Sequence, residues 1–168
     1  MPLNFDPTKL QKTDIFIETG TYKGNTLAKI KDKYKEIHTI EIVAQFHNDT
    51  KKQYESDKNI NFHLNDSPVG LKKILKDIDK PVTFWLDAHY QGGAQTNSTK
   101  KPLLDELNVI KAHDIKTHMV LIDDVRLFGV YGTTVDAVKS KLLEINKDYT
   151  FEFGEGVQAN DVLIARVK

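Results

Sequence analysis

Short apolar runs alternate with amphipathic ones along almost the whole chain, and few folds accept that rhythm. The strand candidates are residues 14–18, 36–42, 60–65, 82–87 and 118–123, followed in turn by helix candidates at 24–34, 43–56, 67–78, 102–113 and 133–146. In the third helix candidate Leu71, Ile74, Leu75 and Ile78 recur at i, i+3, i+4 and i+7, which makes one core-facing stripe. Val135, Val138, Leu142 and Ile145 form a similar stripe in the fifth. Pro68 and Pro102 stand where helices should begin, a place where the missing N–H costs nothing. This order predicts parallel strands joined by right-handed helical crossovers, with helices on both faces of the sheet. The ending breaks the rhythm, because 149–153 and 161–167 are separated by a loop too short for a helix. The reading is therefore an α/β fold with a mostly parallel seven-stranded sheet and an antiparallel C-terminal strand. With no internal repeat, low-complexity stretch or linker, residues 1–168 read as a single domain, long enough to build its own core.

Charge argues against some partners. Lys plus Arg and Asp plus Glu both number 24, so nothing in the balance calls for nucleic acid or an anionic membrane. No apolar run is long enough to span a bilayer, and the first residues lack a signal pattern. The absence of Cys rules out disulfides and thiolate chemistry and fits a cytoplasmic location.

Sheets of this kind bind ligands outside the carboxyl ends of their strands, and acids collect there. Asp87 ends the fourth strand candidate, and Asp123-Asp124 end the fifth. Three carboxylates at one sheet edge suit a hard cation held by oxygen, although either cluster alone reads equally well as a loop cap. The first strand candidate runs into Glu18-Thr19-Gly20-Thr21-Tyr22-Lys23-Gly24-Asn25-Thr26, a turn whose glycines let a ligand approach the backbone. Glu41 ends the second strand 23 positions after Glu18, where an acid can accept both ribose hydroxyls of a nucleoside. The Gly20–Gly24 spacing does not fit a pyrophosphate. The carboxylate, ammonium and ribose of S-adenosylmethionine match Thr26, Glu18 and Glu41 better. His89, two residues past Asp87, reads as a general base, a fourth metal ligand or a packing residue. The polar stretch 91–101 reads as a functional loop or an ordinary connection, and Tyr90 and Arg126 stand close in sequence to the acceptor side. Trp85 and the remaining histidines read as core or surface residues, and Lys72-Lys73 as part of a solvated helix face.

At this point the chain resembles, over essentially its whole length, the class I S-adenosylmethionine-dependent methyltransferases with their Rossmann-like domain. Glu18-x-Gly20-x-Tyr22-x-Gly24-x-Thr26 is similar to the first motif of catechol O-methyltransferase and its metal-dependent relatives, including sugar O-methyltransferases. Thr39-Ile40-Glu41-Ile42 is similar to their ribose-binding segment, and Asn65-Asp66-Ser67 to their adenine loop. The resemblance implies that Tyr22 and Thr26 hold the methionine carboxylate and that Asp66 and Ser67 lie near adenine. Asp66 on its own reads equally as a polar residue at a helix start. The resemblance further implies that Asp87, Asp123 and Asp124 hold Mg2+ or Mn2+, with Asp87 serving both metal and cofactor sides. The lysine base of catechol O-methyltransferase is missing here. Some related sugar and aminocoumarin-type O-methyltransferases use a histidine or an aspartate nearby instead, so the resemblance makes His89 the candidate for that role and points away from catechols. Relatives with small acceptors carry extra N-terminal helices, and residues 2–12 are too short for them. The expected acceptor is a sugar, glycan end or other hydroxylated compound at an open site, completed by a second subunit in the event of a homodimer.

Two other readings stand beside this one. The acids could serve a metal-dependent hydrolase or lyase-type enzyme, or the domain could bind cofactor or partner without turnover.

Overall fold

The computed structural model describes residues 3–88 and 102–167. Seven strands form one sheet: β1 (Ile15–Thr19), β2 (Glu36–Glu41), β3 (Ile60–Leu64), β4 (Val82–Leu86), β5 (Met119–Ile122), β6 (Tyr149–Gly154) and β7 (Val162–Val167). Their order is β3-β2-β1-β4-β5-β7-β6. The β1–β2, β1–β4, β2–β3 and β4–β5 pairings are parallel, and β7 runs antiparallel to both neighbours. The chain leaves β1 toward one edge through β2 and β3, then returns to the other side of β1 as β4. That reversal opens a crevice at the carboxyl ends of β1 and β4.

Both faces of the sheet are covered, so the central strands are buried at every position and mostly apolar, with Glu18 and Thr19 of β1 and Thr83 of β4 as the buried polar exceptions. Ile15 and Ile17 join Phe84, Val120 and the stripes of α3 (Ser67–Ile74), α4 (Pro102–Ala112) and α5 (Val135–Ile145) in one core layer. Phe16, Trp85, Leu121 and Ile164 point the other way, against Leu27, Ile30, Tyr34, Tyr54 and the N-terminal Leu3. Trp85 is a core residue. Among the described residues no helix is long and apolar enough to cross a membrane.

Two helices fall short of expectation. The first was expected over 24–34, but α1 spans only Leu27–Ile30. Gly20, Tyr22 and Gly24 all have positive φ, and this run of left-handed residues delays the helix. The third ends at Ile74 and tightens into a 3-10 turn over Leu75–Asp77. Ile78 is already extended three residues before Pro81 and leaves the helical stripe, though it still packs on the core. The fourth helix and α2 (Ala44–Gln53) hold close to the expected ranges.

Candidate functional site

Everything expected of the site starts from the turn after β1. The amides of Gly20 and Thr21 both donate to the Ile40 carbonyl, at 2.9 and 3.4 Å, which ties the turn to the end of β2. Gly20 has φ +84°, and a Cβ there would stand 2.5 Å from the Asp87 carbonyl oxygen. Glycine therefore lets the turn lie directly against the end of β4. Gly24 is pinned from the other side, its carbonyl accepting from the Tyr54 hydroxyl at 2.8 Å. Tyr22 is exposed and packs edge-on against Phe46, with ring centroids 4.7 Å apart.

Glu18 lies beneath this turn, fully buried. The Thr39 hydroxyl donates to its carboxylate at 2.7 Å, and Thr26 bonds to it as well. Burial, reinforced by the nearby Glu41 charge, outweighs those bonds and pushes its pKa up to about 8. Glu41 is held differently. One carboxylate oxygen accepts from the Tyr22 amide at 2.7 Å and the other from the Val43 amide at 2.8 Å. The acid at the end of β2 thus organises the turn itself, and its remaining lone pairs are what it can offer to a ribose. Past the end of β3 the Asp66 side chain accepts from the Ser67 amide at 3.0 Å and caps α3. It does here what a polar helix-start residue does, and Ser67 is buried beside it.

The acids of β4 and β5 come together on the other side of the crevice. Asp87, Asp123 and Asp124 each place a carboxylate oxygen so that all three lie within 4.8 Å of one another. Asp87 is tied to β1 by its amide, which donates to the Thr19 carbonyl at 3.1 Å. Burial drives the Asp87 carboxyl well above the usual carboxylate range, and the neighbouring Asp123, Asp124 and Glu18 charges push the same way. Burial also raises Asp123. Three carboxylates converging in this way form an all-oxygen donor set that suits a hard divalent cation. The structure thus brings the three expected metal residues together, with Gly20 against Asp87. Glu41 ends β2, and Asp66 and Ser67 follow β3 at the start of α3, so all three stand at the same carboxyl edge of the sheet. His89, Tyr90 and the 91–101 loop lie outside the described residues.

Three residues of this region escaped the sequence. Asp161, fully buried, ion-pairs with Arg126, which also pairs with Asp124. It opens an antiparallel strand, and the start of such a strand shares an edge with the ends of the parallel ones; that topological signal was available. Glu106 sits inside the apolar stripe Leu103-x-x-Glu106-Leu107-x-x-Ile110 of α4, an acid out of place. It bonds with Ser67 and Thr19, and burial lifts its pKa to about 7. Tyr131 has its pKa raised by burial and by the Asp124 and Asp87 charges, which puts it beside the acid cluster; no sequence signal marked it.

No protein-family model matches the chain, and no curated protein sequence does either. Solved structures do. A Streptococcus mutans protein provisionally assigned as a methyltransferase, in complex with S-adenosylhomocysteine, superposes with a TM-score of 0.64 at 18% identity, covering 98% of this chain and 100% of that one. An O-methyltransferase from Bacillus cereus, also with S-adenosylhomocysteine, gives 0.64 at 14% identity over 98% of this chain and 83% of that one. A precorrin-6y C5,15-methyltransferase from Geobacter metallireducens gives 0.58 at 16% identity, over 96% and 85% respectively. At such identities the likeness establishes a shared fold, that of the S-adenosylmethionine-dependent methyltransferases.

Proposed function

We propose that this protein is an S-adenosylmethionine-dependent O-methyltransferase, assisted by Mg2+ or Mn2+, acting on a hydroxyl of a sugar or other hydroxylated acceptor. The observation that carries the reading is the packing of Gly20 on Asp87, which sets a cofactor-type turn directly against a three-carboxylate cluster. S-adenosylmethionine supplies an electrophilic methyl group, and a divalent cation on Asp87, Asp123 and Asp124 supplies Lewis acidity toward the acceptor hydroxyl.

The chain's own residues do the rest. Glu41, fixed by the Tyr22 and Val43 amides, accepts ribose hydroxyls without having to be ordered on binding. In this reading buried Glu18 and Thr26, bonded to each other, serve the methionine end together with exposed Tyr22, and buried Ser67 serves the adenine end; their burial and exposure support these roles. Orientation of the acceptor against the donor methyl is where most of the rate is to be gained. His89 takes the acceptor proton, and removing that base should lower turnover about 10²–10⁴-fold.

The test is transfer of a labelled methyl group from S-adenosylmethionine to a panel of hydroxylated acceptors, with Mg2+, with Mn2+ and with excess chelator. Transfer that stops with chelator and returns with either ion supports the reading. Transfer undiminished by chelator removes the metal from it. Cofactor binding without transfer to any acceptor favours a binding domain instead.

A further inference from the structure

We infer that Arg126 is a built-in counter-ion of the acid cluster: it holds Asp124 while no divalent cation is bound, retreats onto Asp161 when one arrives, and so sets the affinity for the ion. This rests on the metal-assisted reading above. Asp124 adopts a left-handed conformation, φ 59° and ψ 41°, and starts a 3-10 turn over Val125–Leu127. That reversal folds Arg126 back over the carboxylates, where one guanidinium nitrogen ion-pairs with both Asp124 and Asp161.

The two partners are not equivalent. Asp161 is anchored without the guanidinium: its carboxylate accepts from the Arg126 and Val157 amides, each at 3.1 Å, and its carbonyl from the Val125 amide at 2.9 Å. The β6–β7 loop packs against it as well, since a Cβ on Gly156 would lie 3.0 Å from an Asp161 carboxylate oxygen and 3.2 Å from one of Asp123. Asp124 instead belongs to the set that converges within 4.8 Å on Asp87 and Asp123. The Arg126 side chain is 26% exposed, against 7% for Asp124 and 0% for Asp161, so the guanidinium is the member of the trio with room to move. Seated on Asp124 it occupies one of the carboxylate's two oxygens and repels a cation at the cluster by its own charge. A guanidinium does not lose its proton in this range, so only exchange can clear it.

The experiment is Mn2+ titration of the full chain by calorimetry, without methyl donor, on wild type, Arg126→Gln, Arg126→Lys and Asp161→Asn. Arg126→Gln should bind Mn2+ about tenfold or more tightly, the scale of one charged contact removed. Arg126→Lys keeps the charge and should stay near wild type. Asp161→Asn should bind more weakly, because the guanidinium is then left to Asp124 alone. An arginine that merely pins the β6–β7 loop would instead make the Gln and Asn variants shift in the same direction, both weaker. Should Asp161→Asn fail to fold, the Gln and Lys pair decides by itself. Unchanged or weaker binding by folded Arg126→Gln overturns the inference and leaves the metal site standing. No Mn2+ binding by either wild type or Arg126→Gln overturns the inference and the metal-assisted reading together. Binding by Arg126→Gln alone supports the inference in its strongest form.

Discussion

Replacing Glu18 with Gln should flatten the dependence of stability on pH. The wild-type carboxyl has its pKa raised from 4.5 to about 8 by burial beneath the turn. A carboxyl with a raised folded pKa binds its proton more tightly in the native state. Its favourable contribution is therefore complete below the unfolded pKa and is lost as pH rises through the folded one. Each pKa unit is worth 1.36 kcal/mol, so between pH 5 and pH 8 the wild type should lose about 3–4 kcal/mol through this group. Glutamine resembles the protonated acid and does not titrate. The assay is urea unfolding of both proteins at pH 5, 6, 7 and 8, with the difference taken at each pH. The subtraction removes other groups, including Glu106, whose pKa near 7 acts with the same sign in the same window. Glu18→Gln should gain on the wild type steadily as pH rises. Parallel curves would refute the reasoning, since they would mean that Glu18 is ionised in the folded state at no cost.

Glu41→Ala removes the acceptor for two amides and the proposed acceptor for ribose. It should cost about 2–3 kcal/mol of stability in urea unfolding and weaken S-adenosylhomocysteine binding at least about tenfold by calorimetry, since bonds to a charged group are at stake. Gly20→Ala adds a Cβ 2.5 Å from the Asp87 carbonyl at a positive φ. It should destabilise by about 2–4 kcal/mol in the same unfolding assay, with a matching loss of cofactor affinity.

What could be read in the sequence follows from which forces are local. The strands were legible because β1, β4 and β5 are buried on both faces, which selects mostly apolar residues along them. The helical stripes were legible where the core selects them, as at Leu71, Ile74 and Leu75 and at Val138, Leu142 and Ile145. The end of the third helix and the start of the first depend on backbone conformation, and composition signals that poorly. The convergence of Asp87 with Asp123-Asp124 was legible because strand order alone puts their ends side by side. Arg126 with Asp161 was not, because a left-handed residue and a loop return join positions 35 apart in the chain. Glu41 was recognised as important for its place at the end of β2, but its hold on the Tyr22 amide is a tertiary contact that spacing cannot show.

The central claim is that the crevice between β1 and β4 takes S-adenosylmethionine. Calorimetric titration of the intact protein with S-adenosylhomocysteine tests it most directly. The account predicts one molecule bound per chain, with affinity reduced by Glu41→Ala and largely unchanged by Asp123→Ala, whose carboxylate is proposed to serve the acceptor side. No binding by the folded wild type, or binding indifferent to Glu41→Ala, would contradict it.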